Sequence, residues 1–249
     1  MTTLPYVYEI GNDMINYRIV NKVLSSAGVK PHIRENFLNY IRNPYSPWED
    51  SKRVIFIHVP KVAGKSLSYS LLGAPNGTGH QKLKYYERDM RKFSSYYKAT
   101  FVRNPWDRLV SAFHYMKCHP LGSNDRDFFD MYIGQDIKFS DFVLNLKDDE
   151  FRKLCMQWEH FTPQVDFITT SSGELNMDFV GRFESIDEDY RRLAELLEVQ
   201  GRLVLKNRGD RKSYKEYYND NSKLVDIVGE VYEKDCALLG YNYDKVICL

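Results

Sequence analysis

Residues 60 to 66 read Pro60-Lys61-Val62-Ala63-Gly64-Lys65-Ser66, which puts two cations, a glycine and a hydroxyl in one short loop. Such a loop suits an anion when it runs into a helix. Backbone N–H groups and the positive end of the helix dipole then converge on one point, and a lysine adds full charge. Lys61 stands at the front of the loop and Ser66 at the expected helix start, while Gly64 lets the backbone come close and Lys65 adds a second charge. Gly64-Lys65-Ser66 also supplies the last three positions of the nucleoside-triphosphate loop G-x-x-x-x-G-K-[ST]. The first glycine of that pattern falls on Val59, so the phosphotransferase reading lacks a required residue.

A second cationic cluster follows. Arg103 precedes Asn104 and Pro105, a good N-cap and a good first helical residue. In the helix they open, Trp106, Leu109, Val110, Phe113 and Met116 share one face. Asn104, Arg108 and Ser111 are expected together on the opposite one. With Arg103 at the strand end, this suits a second phosphate of the same ligand, which arginine can grip with two hydrogen bonds. Among the six histidines, His80 stands in the loop Gly77-Thr78-Gly79-His80 and is a candidate general base, since imidazole titrates near neutrality. His160 is its rival. His58 reads as a packed strand residue, and His114 and His119 as surface.

These stretches carry a resemblance. His58-Val59-Pro60-Lys61-Val62-Ala63-Gly64-Lys65-Ser66-Leu67 resembles the 5'-phosphosulfate loop of sulfotransferases that use 3'-phosphoadenosine 5'-phosphosulfate (PAPS). Phe101 through Phe113 resembles their 3'-phosphate motif. The branch indicated holds the chondroitin- and dermatan-type carbohydrate sulfotransferases and their bacterial relatives. Further matches are Pro163-Gln164, Gly181-Arg182-Phe183-Glu184, Asn207 through Ser213 to Tyr218, Tyr232-Glu233-Lys234-Asp235 and Gly240-Tyr241. Together they span about residues 53–243.

The resemblance implies donor contacts from Lys61, Ala63, Gly64, Lys65, Ser66, Leu67, Arg103 and Ser111, with Arg182, Arg211 and Ser213 closing over the nucleotide. It implies that Lys61 stabilises the departing phosphate, that His80 serves as base, that PAP is the product and that no metal is required. The acceptor implied is a carbohydrate or another hydroxyl-bearing molecule. One departure stands out: the family usually has Thr or Ser where this chain has Lys65. A phosphotransferase, and a nucleotide-binding module without chemistry, are the alternatives.

The elements that must hold these residues are also legible. Val54 to Val59 is a short β-branched and aromatic run suited to a strand buried on both faces. A helix follows the loop and stops at Gly73. Ala99 to Val102 and Phe179 to Phe183 read as further strands, each running into a helix. Strands alternating with helices predict an α/β fold with a P-loop-like parallel sheet. The tail from Tyr214 to Leu239 reads as helical. Residues 1–50 read as a helical extension packed on the main domain (51–249), with helices near Met14–Leu24 and Ile33–Ile41. Asn43-Pro44-Tyr45-Ser46-Pro47 links the two.

Composition sets the outer bounds. The 249 residues carry 35 Lys and Arg against 34 Asp and Glu, a formal charge of +1. That balance conceals two basic stretches, His80–Lys117 and Gly201–Lys215, which predict a local anion site rather than a nucleic-acid-coating surface. Four separated cysteines form no ligand pattern. No stretch is long and apolar enough to span a membrane, and the start lacks a secretory pattern, so the expected location is the cytoplasm.

Overall fold

The computed structural model describes residues 8–10, 13–15, 17–74, 77–118, 123–204 and 212–244. A short antiparallel pair, β1 (Tyr8–Ile10) and β2 (Asp13–Ile15), precedes helices α1 (Tyr17–Ser26), α2 (Pro31–Ile41) and α3 (Pro47–Lys52). The strand pair departs from the all-helical reading of this segment: Tyr8 lies opposite Ile15 and Glu9 opposite Met14, so Met14 belongs to a strand, and the helix begins three residues after it. Strand β3 (Val54–Ile57) then leads through the 60–63 loop into α4 (Gly64–Leu72). Helices α5 (Leu83–Tyr86) and α6 (Met90–Ser95) precede β4 (Tyr97–Val102) and α7 (Pro105–Cys118). The next helices are α8 (Ser123–Tyr132), α9 (Phe139–Asn145), α10 (Asp149–Met156) and α11 (Val165–Ile168). Strand β5 (Phe179–Arg182), α12 (Ile186–Leu196), α13 (Tyr214–Tyr218), α14 (Ser222–Val231) and α15 (Glu233–Leu239) complete the order.

The sheet is parallel and runs β3-β4-β5, with Ile57 opposite Thr100 and Val102 opposite Arg182. All four residues of β3 are buried although it stands at the edge of the β3-β4-β5 order, so both of its faces are covered by other elements. The parallel arrangement has a direct consequence. The carboxyl ends of all three strands lie along one edge, so the 60–66 loop, Arg103 and Arg182 emerge side by side, where open α/β sheets bind ligands.

Two apolar cores flank that edge. One packs β3 and β4 with Leu67 and Leu71 of α4, Phe167, Tyr190 and Leu193. The other packs Trp106, Leu109, Val110, Phe113 and Met116 of α7 against Phe128, Phe142, Trp158, Phe161, Tyr218 and Tyr232. Helix α2 packs on α8 through Arg34, whose guanidinium donates to Asp127 at 3.1 Å. Among the described residues no helix is long and apolar enough to cross a membrane.

Candidate active site

The 60–66 loop is held in an unusual shape. Lys61 and Ala63 both take left-handed backbone conformations, with φ of 73° and 64°, although neither is glycine. Such conformations cost about 1–3 kcal/mol each and persist where the surroundings impose them. Here the surroundings are identifiable. Arg108 is fully buried, donating from Nε to the Pro60 carbonyl at 3.0 Å and from a terminal nitrogen to the Thr162 carbonyl at 2.8 Å. Arg103 donates to the Lys61 carbonyl at 3.0 Å. The carbonyls of Pro60 and Lys61 turn toward these guanidiniums, while the Ala63 carbonyl accepts from the N–H groups of Ser66 and Leu67 and so starts α4. Arg108 therefore does not share an open face with Ser111, as helical spacing had predicted; the second core claims its side of the helix.

Gly64 is required by a neighbour. A Cβ there would lie 1.7 Å from Cδ2 of His58, so the close approach this glycine permits is first of all to an imidazole. His58 sits just past β3, 5% exposed, and its ring meets that of His80 edge-on at 4.4 Å. His80 is carried by a turn in which Gly77 and Gly79 have φ of 83° and 78°. Thr78 pins the turn by donating to the Phe56 carbonyl of β3 at 3.3 Å. The donor loop and the candidate base are thus anchored to the same strand.

A connected polar network links them a second way. The Lys61 ammonium lies 3.9 Å from the centre of the Tyr115 ring. Tyr115 donates its hydroxyl to Asp125 at 2.8 Å, and Trp158 donates to the other oxygen of that carboxylate at 3.1 Å. His160 Nε2 approaches Asp125 at 3.3 Å, and its ring lies 5.6 Å from that of His80. His80 Nδ1 in turn meets Glu159 at 2.5 Å.

Electrostatics sort these groups. Burial, reinforced by the Arg103 charge, pushes Lys61 down to about 7. Burial and the neighbouring His160 hold His80 well below the usual histidine range, so it is neutral at physiological pH. Burial pushes Glu159 up to about 7. For Asp125 burial acts the same way, but His160 and the Tyr115 hydroxyl outweigh it and hold the group down to about 2.

The second anion anchor is built around the end of β4. Arg103 is 7% exposed, pairs with Asp107 at 2.7 Å and lies 3.8 Å over the Phe183 ring. Its backbone is clamped by Gln164, which accepts from the Arg103 N–H at 2.9 Å and donates to its carbonyl at 2.7 Å. Asp235 accepts from the backbone of Gln164 and Val165. Glu184 accepts from the Asn104 N–H at 2.6 Å and from the Tyr241 hydroxyl at 3.0 Å. Gln164, Glu184, Asp235 and Tyr241 all belong to the shorter motif matches, and in the structure they join in fixing the strand end that presents Arg103.

Arg182, on the adjacent strand, has one buried terminal nitrogen with no hydrogen-bond partner. A guanidinium nitrogen left so at the carboxyl edge of the sheet suits an anionic ligand. Ser66 and Leu67 are buried in α4, Lys65 is exposed and Ser111 is half-buried. Ser213 is exposed at the head of α13, which packs on α7. Arg211 and His119 lie outside the described residues. His114 is half-buried against Tyr217 rather than on the surface. Phe128, Phe129, Trp158 and Phe161 are all core. Among the described residues no group of three or more His, Cys, Asp or Glu side chains is arranged to hold a metal ion.

Sequence reasoning passed over Tyr115, Asp125 and Glu159. Only the dipeptide Glu159-His160 offered a signal, because the partners of these groups come from distant parts of the chain.

A family model described as a sulfotransferase family matches residues 48–242. The chain is also similar to carbohydrate sulfotransferase 8 of Mus musculus, 28% identical over 198 residues covering 66% of this chain and 46% of the relative. Similarity extends to carbohydrate sulfotransferase 12 of Mus musculus, 28% identical over 251 residues covering 78% and 59%. Carbohydrate sulfotransferase 9 of Homo sapiens is 28% identical over 205 residues covering 69% and 45%. The chain spans about half the length of the curated relatives it matches. No solved structure matches it.

Proposed function

This chain belongs to the sulfotransferase family, and on that premise we propose that it transfers a sulfuryl group from PAPS to a hydroxyl of a carbohydrate. The observation that carries the reading is the junction of a strained anion loop with a neutral, carboxylate-oriented histidine, both fixed to β3. The relatives' printed names support the carbohydrate as acceptor.

PAPS supplies an activated sulfuryl group on a phosphate leaving group. The loop from Lys61 to Leu67 would hold its 5' end, and Arg103, Ser111 and Arg182 its 3'-phosphate. Lys61 places its ammonium where negative charge grows on the departing phosphate oxygen, a form of preorganised stabilisation. The Tyr115 ring keeps that ammonium from wandering while leaving its donors unspent. In its ionised form, which burial makes the minor one below about pH 7, Glu159 selects the Nδ1–H tautomer of His80 and so frees the Nε2 lone pair to take the acceptor hydroxyl proton. His160 has its Nε2 on Asp125 and is 4% exposed, so we assign it the task of tying Asp125 to His80. The proton moves from the acceptor oxygen to His80 as the sulfuryl group moves to that oxygen and PAP departs.

Thermal denaturation tests the reading. PAP should raise the melting temperature saturably without added divalent metal, because a ligand that binds only the folded state stabilises it by mass action. Strong stabilisation by ATP with magnesium and none by PAP would overturn it.

A further inference from the structure

Helix α2 precedes the stretch matched by the family model, yet it grips the turn that carries the candidate base. Gln81, the residue after His80, is 2% exposed and donates to the Asn39 side chain of α2 at 3.2 Å. The other amide atom of Gln81, Oε1, is buried without a hydrogen-bond partner. Its bond to Asn39 is therefore the one its side chain makes among the described residues. On the other side of His80, a Cβ on Gly79 would lie 3.4 Å from the guanidinium of Arg42, the residue that ends α2.

The helix is a firm support for that grip. Asn124 of α8 donates to Glu35 at 3.0 Å and accepts from Asn21 of α1 at 3.1 Å. Arg34 donates to Asp127. Beyond α5, Arg88 donates to the carbonyls of Tyr40 and Arg42 at the end of α2. Glu35 and Asn39 are four residues apart and share one side of the helix, so the side fixed to α8 is also the side that meets Gln81.

The consequence falls on His80. Losing one partner of a buried hydrogen bond is worse than losing both, because the survivor stays desolvated and unpaired. Without Asn39, Gln81 would be left in that state, and the turn relieves it only by moving. Movement of Gln81 carries His80 with it. The anchors that remain are the Thr78 bond to β3 and the contact of Nδ1 with Glu159. A reacting group misplaced by about 1 Å can slow a reaction by about 10²-fold.

We propose that Asn39 is a positioning residue for sulfuryl transfer: through Gln81 it holds the His80 ring against Glu159. The proposal rests on the sulfotransferase reading.

NMR signals of the His80 ring nitrogens, identified by their loss in His80→Ala, test it. At about pH 8, where Glu159 is ionised, the wild type should show the Nδ1–H tautomer. Asn39→Ala should shift the signals toward an even mixture of tautomers as the ring leaves Glu159. Gln81→Leu breaks the same bond without leaving a buried amide unpaired, and it should shift them likewise in a protein of near wild-type stability. Asn39→Asp keeps the accepting oxygen and should restore the wild-type signals. With water as the acceptor, PAP release from PAPS should slow about tenfold in the two bond-breaking variants and recover in Asn39→Asp. If Asn39→Ala and Gln81→Leu keep the wild-type ring signals, or Asn39→Asp fails to restore them, α2 only packs and the proposal is wrong. Calorimetry with PAP separates this outcome from failure of the sulfotransferase reading. PAP affinity should be the same in the wild type and these variants, and a wild type that does not bind PAP overturns the reading whatever the ring signals show.

Discussion

The two halves of the site are built by different means. The donor side is largely backbone: one continuous strand–loop–helix whose residues follow each other in sequence, forced into left-handed conformations by buried guanidiniums. The half around His80 is entirely side chain: His80, Asp125 and the Glu159-His160 pair arrive from three separate segments and meet only through tertiary packing. A backbone cradle tolerates changes of side chain but not of conformation, whereas a side-chain network can be retuned one residue at a time.

Removing the base should separate the halves most sharply. His80→Ala should lower turnover by about 10²–10⁴-fold, the scale of losing a positioned general base, while calorimetric PAP affinity stays near wild type. Loss of PAP binding in a folded His80→Ala protein would show that the halves are not separable. Near-normal turnover would return the base to His160.

Arg103 tests the donor half. Because its guanidinium already serves Asp107 and the Lys61 carbonyl, Arg103→Ala should both remove a phosphate contact and loosen the loop. PAP binding should weaken by about 2–3 kcal/mol, and Ser111→Ala by about 1 kcal/mol. Equal, small effects from the two variants would mean that the guanidinium does not leave its protein partners for the ligand.

A pH-dependent effect tests the same half. Lys61 is pushed down to about 7 in the free protein, so an anion must draw a proton onto it when binding above that pH. PAP affinity should fall as pH rises from 7 toward 9, by at most about tenfold per unit, with measurable proton uptake in buffers of differing ionisation enthalpy. Lys61→Ala should flatten the dependence. The sign is opposite for stability without ligand. The unfolded lysine holds its proton up to its ordinary pKa near 10.4 and the folded one releases it near 7, so this group makes the protein more stable as pH rises between those values. A pH-independent PAP affinity in the wild type would remove Lys61 from contact with the 5' end.

Local order along the chain explains what could be read early. The run Val54–Ile57, the loop after it and the Arg103-Asn104-Pro105 strand-to-helix junction are each short continuous stretches, so residue type signals the strand, the turn and the helix start there, while the left-handed backbone at Lys61 and Ala63 is imposed by Arg103 and Arg108. The antiparallel pair at Tyr8–Ile10 and Asp13–Ile15 escaped notice because its strands are only three residues long, too short for alternation to stand out.

The sequence by itself determined the parallel α/β architecture, the anion loop with Lys61, and the Arg103 anchor, since periodicity and turn chemistry act between near neighbours. Only the tertiary structure decided that Arg108 is a buried brace, that Gly64 exists to admit His58, and that His80 pairs with Glu159 while His160 turns to Asp125. Only the tertiary structure brought α2 to the base. The reason is physical: hydrogen bonds and burial depend on distance in space, and Glu35, His80, Asp125 and Glu159 share a dielectric environment that no spacing along the chain encodes.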